Sequence, residues 1–153
     1  MATTMLLTAD AKFCDGCRMC ELVCSLNKTG RVNPYMARIR VVQSPAGAPR
    51  PIICWSCPDA KCQTACSVPG AIYVEPHTGA LVIDESKCTR CLDCVIACPF
   101  KAIQVGPAGE ILKCDLCGGD PLCVQHCPYR PANSLPSLPY PKQSCLKYVE
   151  RKK

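Results

Sequence analysis

Seventeen cysteines occur in 153 residues, and sixteen of them fall into four groups of four. Residues 88–99 read Cys-Thr-Arg-Cys-Leu-Asp-Cys-Val-Ile-Ala-Cys-Pro, so Cys88, Cys91 and Cys94 are separated by two residues each and Cys98 follows after three. Cys14, Cys17, Cys20 and Cys24 repeat that spacing, with Ser25 where the proline stood. Cys54, Cys57, Cys62 and Cys66 widen the middle gap to four residues; Cys114, Cys117, Cys123 and Cys127 widen it to five before Pro128. Thiolates are soft ligands suited to zinc or to iron–sulfur centres, so each group is a full ligand set for a metal centre. Only Cys145 is left over.

Spacing separates the two chemistries. A zinc ribbon pairs two C-x-x-C steps across a spacer, whereas here four thiols crowd into 11 to 14 residues and two motifs end in Cys-Pro. Bacterial ferredoxins hold 4Fe-4S clusters with this run, in which the fourth cysteine ligates a neighbouring cluster. Sixteen thiolates suit four 4Fe-4S clusters. A zinc-stabilised interaction module is the competing class. No C-x-x-C step is followed by histidine, as haem attachment requires. With no glycine-rich dinucleotide fingerprint, phosphate loop or Ser/His/Asp set, the chain offers no catalytic residue and nothing to bind an organic substrate.

The rest of the composition follows from this. Five per cent aromatics and 15 prolines leave little for an ordinary apolar core, so the clusters must supply it. The formal charge of +6 counts cysteines as neutral; sixteen thiolates and four cubes bring the loaded protein to roughly −2. No basic stretch interleaves with aromatics to stack bases, which argues against nucleic acid. Residues 1–13 carry no twin arginine and only a two-leucine patch, and no apolar run approaches a bilayer span. The expected location is cytoplasmic, where cysteine-rich patterns more often mean metal than disulfide.

The elements that must position the thiols are short. Residues 38–42 alternate and β-branch like a strand, and residues 44–51 read as a Pro/Gly/Ala linker. Residues 71–74 and 80–83, and again 102–105 and 110–112, read as hairpins, with the pairs Ala71-Ile72 and Ala102-Ile103 set against the metal centres. Trp55 could shield a cluster edge, His126 could donate to a sulfur, and Lys113 and Arg90 stand beside ligands. Residues 129–141 hold four prolines and should be extended, and residues 144–153 read as a short frayed helix. This Pro-rich and basic tail, 129–153, is either a flexible end or a docking arm.

The four motifs, the Lys113-Cys-Asp-Leu-Cys117 opening of the last and its Pro121-Leu-Cys-Val-Gln-His-Cys-Pro128 ending resemble four-cluster ferredoxin subunits of the dimethyl-sulfoxide-reductase and formate-hydrogenlyase type. Ser-Leu-Asn-Lys-Thr-Gly-Arg-Val-Asn-Pro after motif one most resembles the small iron–sulfur subunit of tungsten aldehyde oxidoreductases. The resemblance implies an α+β fold of two fused bacterial-ferredoxin-like halves within residues 1–128: one from motifs one and four, the other, about 51–105, inserted from motifs two and three. It also implies crossed ligand sets. Cys14, Cys17 and Cys20 take Cys127; Cys114, Cys117 and Cys123 take Cys24; Cys54, Cys57 and Cys62 take Cys98; Cys88, Cys91 and Cys94 take Cys66. The implied function is electron transfer through four 4Fe-4S clusters, without catalysis. The partner would be a larger tungsten- or molybdenum-pterin oxidoreductase subunit, and the acceptor a flavin-containing NAD-linked subunit or a ferredoxin. The alternative within this resemblance is a polyferredoxin subunit of a carbon-monoxide dehydrogenase, hydrogenase or formate dehydrogenase.

Overall fold

The computed structural model describes residues 5–127 and 144–151. In chain order the elements are β1 (Met5–Ala9), α1 (Met19–Thr29), β2 (Arg40–Gln43), β3 (Pro49–Ile52), α2 (Lys61–Thr64), β4 (Ile72–Val74), β5 (Leu81–Ile83), α3 (Asp93–Ala97), β6 (Gln104–Val105), β7 (Ile111–Leu112), α4 (Leu122–Gln125) and β8 (Leu146–Glu150). Among the described residues the strands form two-stranded antiparallel sheets, β1 with β8, β2 with β3, β4 with β5 and β6 with β7. This is a mixed α+β, ferredoxin-like fold of small helices and hairpins.

The two hairpins expected between the cysteine motifs are β4–β5 and β6–β7, with Ile72 opposite Ile83 and Val105 opposite Ile111. The stretch 44–51 is more than a linker. It turns at Gly47, whose φ of 82° suits glycine, and continues as β3, so that Val41 pairs with Pro51 and Arg40 with Ile52. Prolines are tolerated there because a two-stranded sheet has only edges.

The expected C-terminal helix is instead β8. Leu146 pairs with Ala9 and Val149 with Leu6, joining the two ends of the chain. Leu146 and Leu7 are both 1% exposed, and burying them stabilises the pairing more than helix propensity could. Leu146–Glu150 is therefore a paired strand and not part of a loose arm. The proline-rich stretch 129–141 lies outside the described residues.

Helix α1 is the one long helix among those described. Gly30, at φ 70°, closes it by donating its N–H to Leu26 O at 2.8 Å. Its four-residue period sets Cys20 and Cys24 on one face. Helices α2, α3 and α4 are four or five residues each, too short to persist without tertiary support. α1 packs on α4, α2 packs on α3, and α4 also meets β8. Two apolar clusters result. One gathers Leu7, Ile39, Val41, Leu116 and Leu146 around Cys20, Cys24, Cys123 and Cys127; the other gathers Ile72, Leu81, Ile103 and Ile111 around Cys94.

Candidate metal centres

The short cysteine loops owe their curvature to left-handed residues. Arg18, Ser56, Arg90, Leu92, Leu116 and Cys117 all have positive φ, between 44° and 71°, and all lie within the cysteine motifs. Such conformations are costly for residues bearing a Cβ and persist only where the surroundings demand them. Here they wind the chain so that successive N–H groups line a concavity suited to an anion. Arg38 N donates to Cys24 Sγ at 3.3 Å, Ala102 N to Cys98 Sγ at 3.4 Å and Leu116 N to Cys114 Sγ at 3.5 Å. Gly16, in the first motif, is glycine for a second reason as well: a Cβ there would stand 3.2 Å from Pro49 Cβ.

The cysteines gather around cavities in combinations that mix motifs. One small cavity is lined by Cys14, Cys17, Cys20 and Cys127, together with Cys145. A second is lined by Cys66, Cys88, Cys91 and Cys94. A third, of about 580 Å³, is lined by Cys54, Cys57, Cys62 and Cys98. The remaining four lie near one another: Cys117 helps raise the Cys24 thiol, and Cys114, Cys24 and Cys117 all help raise that of Cys123. Among the described residues no three His, Cys, Asp or Glu side chains converge where a single ion could be held. The thiols surround volumes.

Burial and crowding make these thiols weak acids while they are free. Burial, then the charges of Glu21 and Cys17, push Cys20 up to about 12. Burial, then the charges of Cys88, Cys62, Cys66 and Cys91, push Cys94 up to about 11. Cys17, an exposed residue, has its thiol raised to about 11 by partial desolvation, with Asp15 and Cys127 adding to it, and Cys114 is raised to about 12 by burial and then Cys54. Bound cations invert this logic and deprotonate a coordinating thiol outright, so loading each set releases protons.

The donor set fits iron–sulfur clusters on three counts: thiols arrayed around cavities, backbone N–H groups aimed at sulfur, and a buried cation. Lys113 is 5% exposed, and its Nζ donates to Cys54 Sγ at 3.3 Å and to Leu81 O. Arg90, the other cation singled out beside a ligand, is exposed and donates to Ala108 O at 3.2 Å. Trp55 is 38% exposed, lies 6.0 Å from the Phe100 ring, and lines the Cys54 cavity. The His126 ring meets Leu122 O at 3.0 Å rather than a sulfur. Ala71, Ile72, Ala102 and Ile103 are all buried, and the two isoleucines pack among the cysteines of motifs two and three.

Three features escape a reading of the sequence. Cys145 is 3% exposed and stands against Cys14 in the first cavity; its thiol is pushed up to about 12 by burial, then by Cys14 and Cys127. Arg151, at the end of β8, reaches back to Trp55 O at 3.4 Å and to Ser56 O, tying the C-terminal strand to the second cysteine loop. Glu21, inside motif one, is 1% exposed. It accepts from Val41 N at 2.7 Å and pairs with Arg18 at 3.3 Å, so it fastens α1 to β2. Glu21→Ala leaves the buried Val41 N–H without an acceptor and should cost about 1–3 kcal/mol of stability. Glu21→Gln, which keeps an acceptor oxygen, should cost less. Denaturant unfolding of the two loaded variants checks the order, and equal loss in both would remove the Val41 bond as the cause.

Residues 48–134 match the family described as "4Fe-4S dicluster domain". The chain is 45% identical over 125 residues to the aliphatic sulfonate oxidoreductase, polyferredoxin-like subunit, of Pyrococcus furiosus, covering 80% of this chain and 70% of that one. It is 30% identical over 158 residues to formate hydrogenlyase subunit 2 of Escherichia coli K12, covering 78% and 76% respectively. Among solved structures, the active site complex BamBC of benzoyl coenzyme A reductase in complex with zinc superposes with a TM-score of 0.52 at 25% identity, over 100% of this chain and 82% of that one.

Proposed function

The chain belongs to the 4Fe-4S dicluster domain family and is a non-catalytic iron–sulfur electron-transfer subunit of a redox complex; from that premise we propose that it is a polyferredoxin-type wire with four centres in single file. When bound, four 4Fe-4S clusters would supply one-electron transfer. The cysteines would hold them in the crossed sets: Cys88, Cys91, Cys94 with Cys66; Cys54, Cys57, Cys62 with Cys98; Cys114, Cys117, Cys123 with Cys24; and Cys14, Cys17, Cys20 with Cys127.

One observation carries this reading. Thiols of different sets stand near enough to raise one another's pKa, Cys62 for Cys94, Cys54 for Cys114 and Cys20 for Cys123, which links the four sets in one order. Cys91 and Cys17 are the two exposed cysteines, and they belong to the first and last sets of that order. A wire needs its ends at the surface. The packing of α1 on α4 and α2 on α3, with the two apolar clusters, supports a division into two ferredoxin-like halves, the second inserted at about 51–105.

The polyferredoxin type is favoured by the relatives from sulfonate oxidoreductase and formate hydrogenlyase. The catalytic partner would be a larger oxidoreductase subunit. Residues 25–34, spanning the end of α1 and the turn after it, favour a tungsten or molybdenum pterin enzyme of the aldehyde-oxidising kind as a second reading. A flavin-containing NAD-linked subunit or a ferredoxin would take the electrons, in the cytoplasm. No helix among the described residues is long and apolar enough to cross a membrane.

Anaerobic purification of the tagged chain tests the proposal. It should bring down a larger metal-containing subunit. The chain alone should accept electrons from a low-potential donor yet turn over neither formate nor aldehydes. Turnover by the isolated chain would overturn the reading; the metal in the partner decides between the two types.

A further inference from the structure

Lys113 is a buried ammonium with an unusual setting. Among the described residues its Nζ makes no ion pair with a carboxylate. It lines the cavity of Cys54, Cys57, Cys62 and Cys98, donating to Cys54 Sγ at 3.3 Å and to Leu81 O. A charge taken out of water needs a compensating partner of opposite sign, and a carbonyl oxygen carries only a dipole. The thiolates around that cavity are the counter-charge. Burial raises the Cys62 thiol, and Lys113 is the first influence opposing it.

The fold explains how one lysine reaches there. Lys113 follows β7 directly and precedes Cys114, so its backbone belongs to the fourth motif while its side chain enters the cavity of the second. The Leu81 carbonyl, on β5, holds the ammonium on the sulfur side. Reduction adds negative charge to a cluster and its thiolates, and a fixed cation hydrogen-bonded to a ligand sulfur stabilises the reduced form more than the oxidised one.

We propose that Lys113 is a positioning residue that raises the reduction potential of one centre, the one held by Cys54, Cys57, Cys62 and Cys98, and so makes that interior site the place where an electron rests on its way through the chain. This inference rests on the ligand sets proposed above. It assigns to a single residue a potential difference that sixteen identical ligands could not create.

The test uses the full loaded chain, wild type and the variants Lys113→Met, Lys113→Gln and Lys113→Arg. Iron is counted in each, and redox titration is followed by electron paramagnetic resonance. The centre in question is identified as the one whose signal changes in Cys98→Ser. Lys113→Met and Lys113→Gln should keep the wild-type iron content and weaken reduction of that centre at least tenfold, about 59 mV for one electron, with smaller shifts at the other centres. Lys113→Arg should restore most of the loss. Unchanged midpoints, an equal shift at every centre, or a glutamine variant that retains the wild-type potential would each overturn the proposal. Loss of iron from both uncharged variants would overturn it too, making Lys113 a structural support. Wild-type protein lacking four titrating centres would instead remove the ligand reading beneath it.

Discussion

Removing iron from the loaded protein with a chelator should unfold the chain, with loss of most of its far-ultraviolet circular dichroism and exposure to proteases throughout residues 5–127. The reason lies in what the fold contains when the metal centres are set aside. Among the described residues its sheets have two strands each, and isolated two-stranded hairpins are marginal in water. Three of the four α-helices among the described residues span about one turn, and a helix that short does not outweigh its nucleation cost. Both apolar clusters are built around cysteine: Cys20, Cys24, Cys123 and Cys127 sit in one, and Cys94 with Cys62, Cys66, Cys88 and Cys98 in the other. Without metal those positions are crowded thiols around cavities, and motif is held to motif by isolated contacts such as Lys28 with Asp115 at 2.6 Å and Lys113 with Cys54 at 3.3 Å, too few to hold the chain together. Metal binding is then folding free energy. Loaded protein should carry about sixteen iron and sixteen sulfide, and their release should coincide with unfolding in one transition. A native spectrum after complete iron removal would show that the hairpins and apolar clusters suffice alone.

Much of this was legible in the sequence because the informative signals were local. A cysteine motif specifies its own loop, and the hairpins β4–β5 and β6–β7 announce themselves through short apolar runs on either side of glycine and proline turns. What escaped was non-local. Leu146 to Glu150 alternates burial as a strand should, with Leu146 inward and Lys147 outward. Its partner, however, lies at the opposite end of the chain, so nothing nearby distinguishes strand from helix. Lys113 and Arg90 look alike in sequence, each a cation next to or near a ligand. One enters a cavity and the other reaches solvent, because only Lys113 follows a strand that points it inward. Glu21 carries no local signal of its role, because its partner, Val41 N, is brought to it by β2.

The largest single-residue effect should come from Cys98→Ser, and its direction distinguishes crossed from uncrossed ligation. If each motif served its own cluster, Cys98→Ser would disturb the centre held by Cys88, Cys91 and Cys94. Cys98 instead lines one cavity with Cys54, Cys57 and Cys62, and it acts on the Cys57 and Cys62 thiols. Cys66 takes the corresponding place beside Cys88, Cys91 and Cys94. The short helices α2 and α3 pack side by side, so the chain leaving each loop ends against the other. The substitution should therefore remove or convert the centre of the second motif, costing up to four iron by the ligand count, while the resonance signal of the third motif's centre stays close to normal. Cys145 provides the control. It is buried beside Cys14 and lines a cavity already served by four other thiols, so Cys145→Ser should keep the full iron content. The readouts are iron per chain and low-temperature electron paramagnetic resonance of the reduced proteins. A Cys98 variant whose lost signal belongs to the third motif would sink the crossed assignment, and iron lost from the Cys145 variant would make the seventeenth cysteine a ligand.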